Sequence, residues 1–116
     1  MLITILKSKI HQATVTEANL YYEGSITIDE KLIQAAGLVE AEKVEVLNLN
    51  SGQRLETYVI KGMAGSGVIC LNGPAARGAC LGDKVIIVAY ALADEKRARQ
   101  IKARVIKVDA RNRIKD

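Results

Sequence analysis

The stretch Lys84-Val85-Ile86-Ile87-Val88-Ala89-Tyr90-Ala91 is the most strand-like in the chain. It is nearly continuous valine and isoleucine, whose branched side chains suit a pleated surface. It contains no glycine or proline, so it reads as a buried strand. Beyond it, Asp94 to Gln100 is a polar linker with helical character, and Ala103 to Val108 reads as a last strand. The tail after Asp109, about residues 110–116, reads as frayed and flexible. Before it, Val68 to Leu71 is a short buried strand ended by Asn72-Gly73-Pro74. Pro74-Ala75-Ala76 can open one helical turn, because proline suits the first helical position.

The first half of the chain has the same character. Leu2 to Lys7 is an aliphatic strand continued by Lys9-Ile10-His11, and Gln12 to Thr16 alternates as a second strand. Thr16 to Gly24 is a connection containing Tyr21 and Tyr22. The clearest helix is Glu30 to Ala36: Asp29 caps its amides, Ile28 can pack on Ile33, and Gly37 suits the left-handed residue that ends it. Val44 to Leu49, the turn Asn50-Ser51-Gly52 and Leu55 to Ile60 form a hairpin. The glycine-rich segment Gly62 to Gly67 lacks the lysine and hydroxyl of a phosphate loop and reads as a plain loop. Many short strands with one or two short helices describe a mainly β chain closed into a small barrel, since closure removes exposed edges.

With 116 residues, 49% of them apolar, the chain is one domain with an aliphatic core, for it has neither Trp nor Phe. A domain this small gains from oligomerisation. No run is long enough to span a membrane, and the start carries lysines without a signal-peptide pattern; both observations suggest a cytoplasmic protein with no membrane partner. Cys70 and Cys80 lack ligand spacing, and His11 is the only histidine, so no metal site is expected. Both cysteines read as reduced and partly buried. The net charge of +4 comes largely from Lys96 to Lys115. No aromatic residue interleaves with that segment, so it reads as a solvated face and not as a nucleic-acid site.

Between the alternating run and the helix lies Tyr21-Tyr22-Glu23-Gly24-Ser25. A Gly-Ser pair alone is a turn signal. Here it keeps company with Lys9, His11, Arg54, Thr57, Tyr58 and Asn72-Gly73, at spacings that make the chain resemble the pyruvoyl-dependent aspartate 1-decarboxylases from Met1 to about Asp109. Decarboxylating an α-amino acid requires a sink for the electron pair, and a ketone supplies one once the substrate amine has condensed on it. Such a ketone can be made from the backbone. Ser25 Oγ attacks the Gly24 carbonyl, the amide becomes an ester, and loss of the Ser25 α-proton expels the carboxylate. The resulting dehydroalanine hydrolyses to pyruvoyl and ammonia. Gly24 is the least hindered residue to precede the serine. The resemblance implies cleavage between Gly24 and Ser25, a covalent pyruvoyl cofactor at position 25 and a double-psi β-barrel. It further implies a homotetramer with active sites between subunits, converting L-aspartate to β-alanine for pantothenate synthesis.

Several residues carry readings of two kinds. Arg54 suits a substrate carboxylate through its planar fork, with Lys9 as the second cation for a dicarboxylate; alone, each is an ordinary surface charge. The resemblance implies that Thr57 stabilises the oxyanion of self-cleavage and contacts substrate, and that Tyr58 is the proton donor. Neighbours on a strand face opposite sides, so the two share a site only through a bulge, a strand end or the Thr57 backbone. The resemblance also implies that Asn72, Gly73, Pro74 and Ala75 line the pocket, where Pro74 offers no amide. His11 is a supporting residue that could orient Tyr22, hold substrate or assist maturation. A pyruvoyl decarboxylase of another amino acid such as glutamate, or an uncleaved basic binding barrel, are the rival readings. A maturation partner is left open.

Overall fold

A computed structural model of the chain describes residues Met1–Lys115. The strands are β1 (Leu2–Thr14), β2 (Glu17–Asn19), β3 (Ser25–Asp29), β4 (Lys43–Asn48), β5 (Arg54–Gly62), β6 (Ile69–Asn72), β7 (Lys84–Asp94) and β8 (Arg104–Lys107). Helix α1 spans Glu30–Ala36, a 3₁₀ turn Gly73–Gly78 and the single-turn helix α2 Glu95–Ala98. The eight strands follow the order β2-β6-β3-β5-β4-β7-β1-β8. The fold is therefore mainly β with short helices. No helix among the described residues is long and apolar enough to cross a membrane.

The two strands expected in the first 16 residues are one, the 13-residue β1. Its register against β7 shifts between Leu6 and Ser8 and between Ile10 and Ala13, and Gln12 takes φ +60°. Extra residues at such bulges bend a strand without ending its pairing, so the break in the alternation is a bend in one strand. The expected connection between Thr16 and Gly24 contains β2, which pairs in parallel with β6. The core is aliphatic: Ile10, Ile26, Ile28, Ile69, Leu71 and Ile87 are each at most 1% exposed.

Helix α1 forms where its local signals place it. Asp29 accepts from Lys31 N at 2.9 Å, Gly37 has φ +70°, and Leu38 N donates to Ile33 O at 2.9 Å. The Asp29 carboxylate does more than cap. It also accepts from Gly65 N at 2.9 Å and Gly67 N at 2.8 Å, tying the glycine-rich loop to the end of β3. That loop is backed by the C-terminal segment. Asn112 is buried; its amide donates to Thr14 O and Gly67 O, and its Oδ1 accepts from Thr14 N. Ile114 bridges to Val108, and Lys115 N donates to Lys107 O. One buried side chain with three backbone partners outweighs the polar composition of the tail. The cysteines also differ from expectation: Cys70 is buried, whereas Cys80 is exposed.

Burial raises the pKa of Asp29, but the amides of Gly67, Gly65 and Lys31, with the Arg113 charge, outweigh it and hold the carboxyl below its ordinary 3.8. A carboxyl with a depressed folded pKa stabilises the fold above its unfolded value and loses that contribution as pH falls through the folded one. Asp29→Asn keeps one acceptor oxygen and leaves a buried amide unpaired. It should therefore lower unfolding free energy at pH 7 by about 2 kcal/mol. In urea titrations the gap between wild type and variant should be full at neutral pH and close as pH drops below 3.8.

Candidate active site

Ser25 opens β3 directly opposite Asn72, the last residue of β6. The serine has no exposure and Asn72 has 2%. Ser25 Oγ donates to Glu23 O at 3.0 Å and accepts from Asn72 Nδ2 at 2.9 Å. The same Nδ2 donates to Thr27 Oγ1 at 2.9 Å, and the Cys70 thiol donates to Asn72 Oδ1 at 3.2 Å. These partners define which way the amide faces. With its proton committed to Glu23, the serine oxygen can only accept, so the NH₂ end must face it. Burial, and then the Glu17 carboxylate, push the Cys70 thiol up, which keeps it a protonated donor at the other end.

The next residue explains why the chain has glycine there. Gly73 takes φ +62°, and a Cβ on it would stand 2.8 Å from Tyr22 O and 2.9 Å from both Gly24 N and Gly24 Cα. Only a residue without a side chain lets the two backbones pass so closely. Asn72-Gly73 is thus the start of the 3₁₀ turn as well as the place where the chain passes close to the Gly24 backbone. Pro74 continues that close approach: a side chain at Gly24 would lie 3.4 Å from its Cδ. Arg54, Pro74, Ala75 and Arg77 share a groove of about 390 Å³ on the outer side of this turn. Ser25 does not line it.

The other expected residues divide into two groups. Tyr58 is half-exposed and directly precedes Val59, which pairs in parallel with Ile26. Since Ser25 directly precedes Ile26, the register brings Tyr58 alongside the serine on the outward face. Thr57 alternates to the other face with buried Val59. The β3–β5 and β4–β5 registers run without a shift, so no bulge reverses it. Arg54 begins β5, exposed, 3.6 Å from Glu45. Tyr22 is exposed and reaches the site through its carbonyl, which faces Gly73. Lys9 and His11 lie on β1, separated from β3 by β5, β4 and β7 in the sheet order. Neither lines the groove that holds Arg54, and neither hydrogen-bonds to Ser25 or Asn72. His11 Nδ1 is buried with no hydrogen-bond partner.

Three residues of this neighbourhood carry little signal in sequence. Thr27 and Cys70 each stand two positions from a singled-out residue on a strand, Ser25 and Asn72, and so share its face. Arg77 follows Pro74 by three, one turn of a 3₁₀ helix, where side chains eclipse. Those periodicities would have found them, given the element boundaries.

A profile of the family described as aspartate decarboxylase matches residues 1–115. The aspartate 1-decarboxylase of Carboxydothermus hydrogenoformans is 60% identical over 114 residues, covering 98% of this chain and 90% of that protein. That of Clostridium beijerinckii is 57% identical over 116 residues, 100% of this chain and 94% of that protein. That of Cytophaga hutchinsonii is 55% identical, covering 98% and 99% respectively. The backbone is similar to the rationally designed mkDPBB_sym_86 protein, with a TM-score of 0.50 at 19% identity over 66% of this chain and 90% of the designed one. At that identity the likeness concerns architecture alone, a double-psi β-barrel. Matched along its length by the profile and by relatives of nearly its own size, the chain belongs to the aspartate decarboxylase family.

Proposed function

We propose that this protein is a self-processing L-aspartate 1-decarboxylase that releases β-alanine and carbon dioxide. The observation that carries the reading is the buried Ser25 hydroxyl, held by Asn72 directly after the unhindered Gly24. A surface Gly-Ser turn would leave that hydroxyl to water. Here its rotamer is pinned and its proton already points at a carbonyl acceptor, Glu23 O. Attack of Oγ on the Gly24 carbonyl carbon moves the acyl group from nitrogen to oxygen. The Asn72 amide, an N–H donor at 2.9 Å from Oγ, stabilises negative charge on Oγ itself as its proton leaves.

The residues around position 25 fit a pyruvoyl group formed from the serine. Gly73 leaves its neighbour backbone unobstructed, and Asn72 offers a donor to an oxygen there. When present, such a group supplies a ketone that takes up the electron pair left by carbon dioxide. Arg54 and the groove with Pro74 and Ala75 bind and orient the substrate carboxylates. Tyr58 holds a proton at its hydroxyl for the carbon that loses carbon dioxide. Thr57 acts, in this reading, through its backbone.

In this reading Lys9 and His11, which do not line the groove of Arg54, enter the site from a second copy of the chain. The reading therefore includes a homo-oligomer, a tetramer on the family pattern, with β-alanine serving pantothenate synthesis in the cytoplasm.

Two variants separate maturation from turnover. Ser25→Ala lacks the nucleophile and should remain one chain of 12.6 kDa under denaturing conditions, with no β-alanine formed. A cut and active Ser25→Ala protein would end the proposal. Tyr58→Phe keeps the ring and removes only the hydroxyl. It should still split between Gly24 and Ser25 by mass, while β-alanine production falls on the order of 10²-fold, within the range of lost general-acid catalysis. Full turnover would make Tyr58 a packing residue.

A further inference from the structure

We propose that Arg77 is a second carboxylate-binding residue, forming with Arg54 a two-cation site that selects dicarboxylates. This rests on the aspartate reading of the groove and adds a residue to it. Aspartate presents two carboxylates, and within one chain Arg77, not Lys9, shares the groove of Arg54.

The position of Arg77 is built and not incidental. The 3₁₀ turn ends at Gly78, where a Cβ would stand 2.5 Å from Leu55 Cδ2 and 3.3 Å from Gln53 Oε1. Glycine there lets the turn settle directly on the start of β5. Asn48 Nδ2 holds it by donating to Gly78 O at 3.0 Å. The residue before Gly78 is thereby brought against the residues flanking Arg54, and Arg54 and Arg77 line one groove. Pro74 lies three positions before Arg77 on the same turn and lines the same groove, and a side chain added at Gly24 would lie 3.4 Å from its Cδ. The groove thus places the two guanidinium groups beside the turn opened by Asn72, the residue that holds Ser25.

Its charge balance favours a dianion. The one acidic lining residue, Glu56, is paired with Lys43 at 3.1 Å. Arg54 is engaged only by Glu45, at a loose 3.6 Å. No ion pair among the described residues uses Arg77. Two planar forks can each take one carboxylate in bidentate fashion, which a single surface cation cannot do for a diacid.

The test uses succinate and propionate as probes, a diacid and a monoacid that carry no amine and are not decarboxylated. Binding to the purified wild type, Arg77→Gln and Arg77→Lys is followed by NMR titration at low ionic strength. Arg77→Gln should weaken succinate binding about tenfold and propionate binding less than about twofold, with Arg77→Lys between, as expected for losing one charge-assisted contact of two. Arg77 is exposed, so the variants should fold. Unchanged succinate binding in Arg77→Gln, an equal loss for both acids, or a wild type that binds succinate no better than propionate would each overturn the proposal. Arg77-dependent succinate binding in a protein that forms no β-alanine would support this site while overturning the decarboxylase reading. Normal β-alanine formation with Arg77-independent binding would do the reverse.

Discussion

The site depends on one carboxamide. Asn72 has a single acceptor oxygen and one NH₂, and both ends are engaged inside the protein. Cys70 holds the oxygen, while Ser25 and Thr27 share the nitrogen. The arrangement exists only because β6 runs antiparallel to β3 with Asn72 opposite Ser25. Slipping that register by one residue would turn Asn72 to the other face and leave the serine hydroxyl with an unmet lone pair in the interior. The packing of Ile69 and Leu71 against the aliphatic core opposes such a slip, because the same shift would expose both.

β3 is held by side chains at both of its ends. Asn72 grips its first residue, and the Asp29 carboxylate at its last residue gathers three backbone amides. Five residues pinned this way, four of them buried, make a rigid support for the peptide bond just before them. Rigidity suits an intramolecular acyl shift, whose rate depends on holding the attacking oxygen near the carbonyl. Gly24 and Gly73 supply the complementary property: neither presents a side chain where the two backbones approach. The buried Ser25 hydroxyl does not open onto the groove.

The cations are distributed to match this division. Arg54 and Arg77 flank the open groove and are not drawn into strong ion pairs. Lys9 and His11 sit across the sheet on β1, where the buried, unpartnered Nδ1 of His11 is an unmet polar atom in the isolated chain. A chain that leaves such an atom without a partner is consistent with a site completed by another copy. That would also suit a barrel of this size, which buries only a modest share of its surface alone.

What the sequence determined by itself was local. Helix α1 with both caps, the long strand β7, the turn opened by Pro74 and the Gly24–Ser25 pair all rest on residues within about four positions of one another, where propensity and capping act. Family membership was legible for a related reason, since the spacing of Lys9, Arg54, Tyr58 and Asn72 survives in the chain itself. Tertiary structure decided the rest. The Asn72–Ser25 bond joins residues 47 apart, and Asn112 reaches Thr14 across 98. Neither distance leaves a periodic trace in the sequence. The bends in β1, the outward face of Tyr58 against the inward one of Thr57, and the meeting of Arg77 with Arg54 were likewise set by register and by where glycines allow close approach. Those are properties of paired strands, and a strand does not know its partner until the barrel has formed.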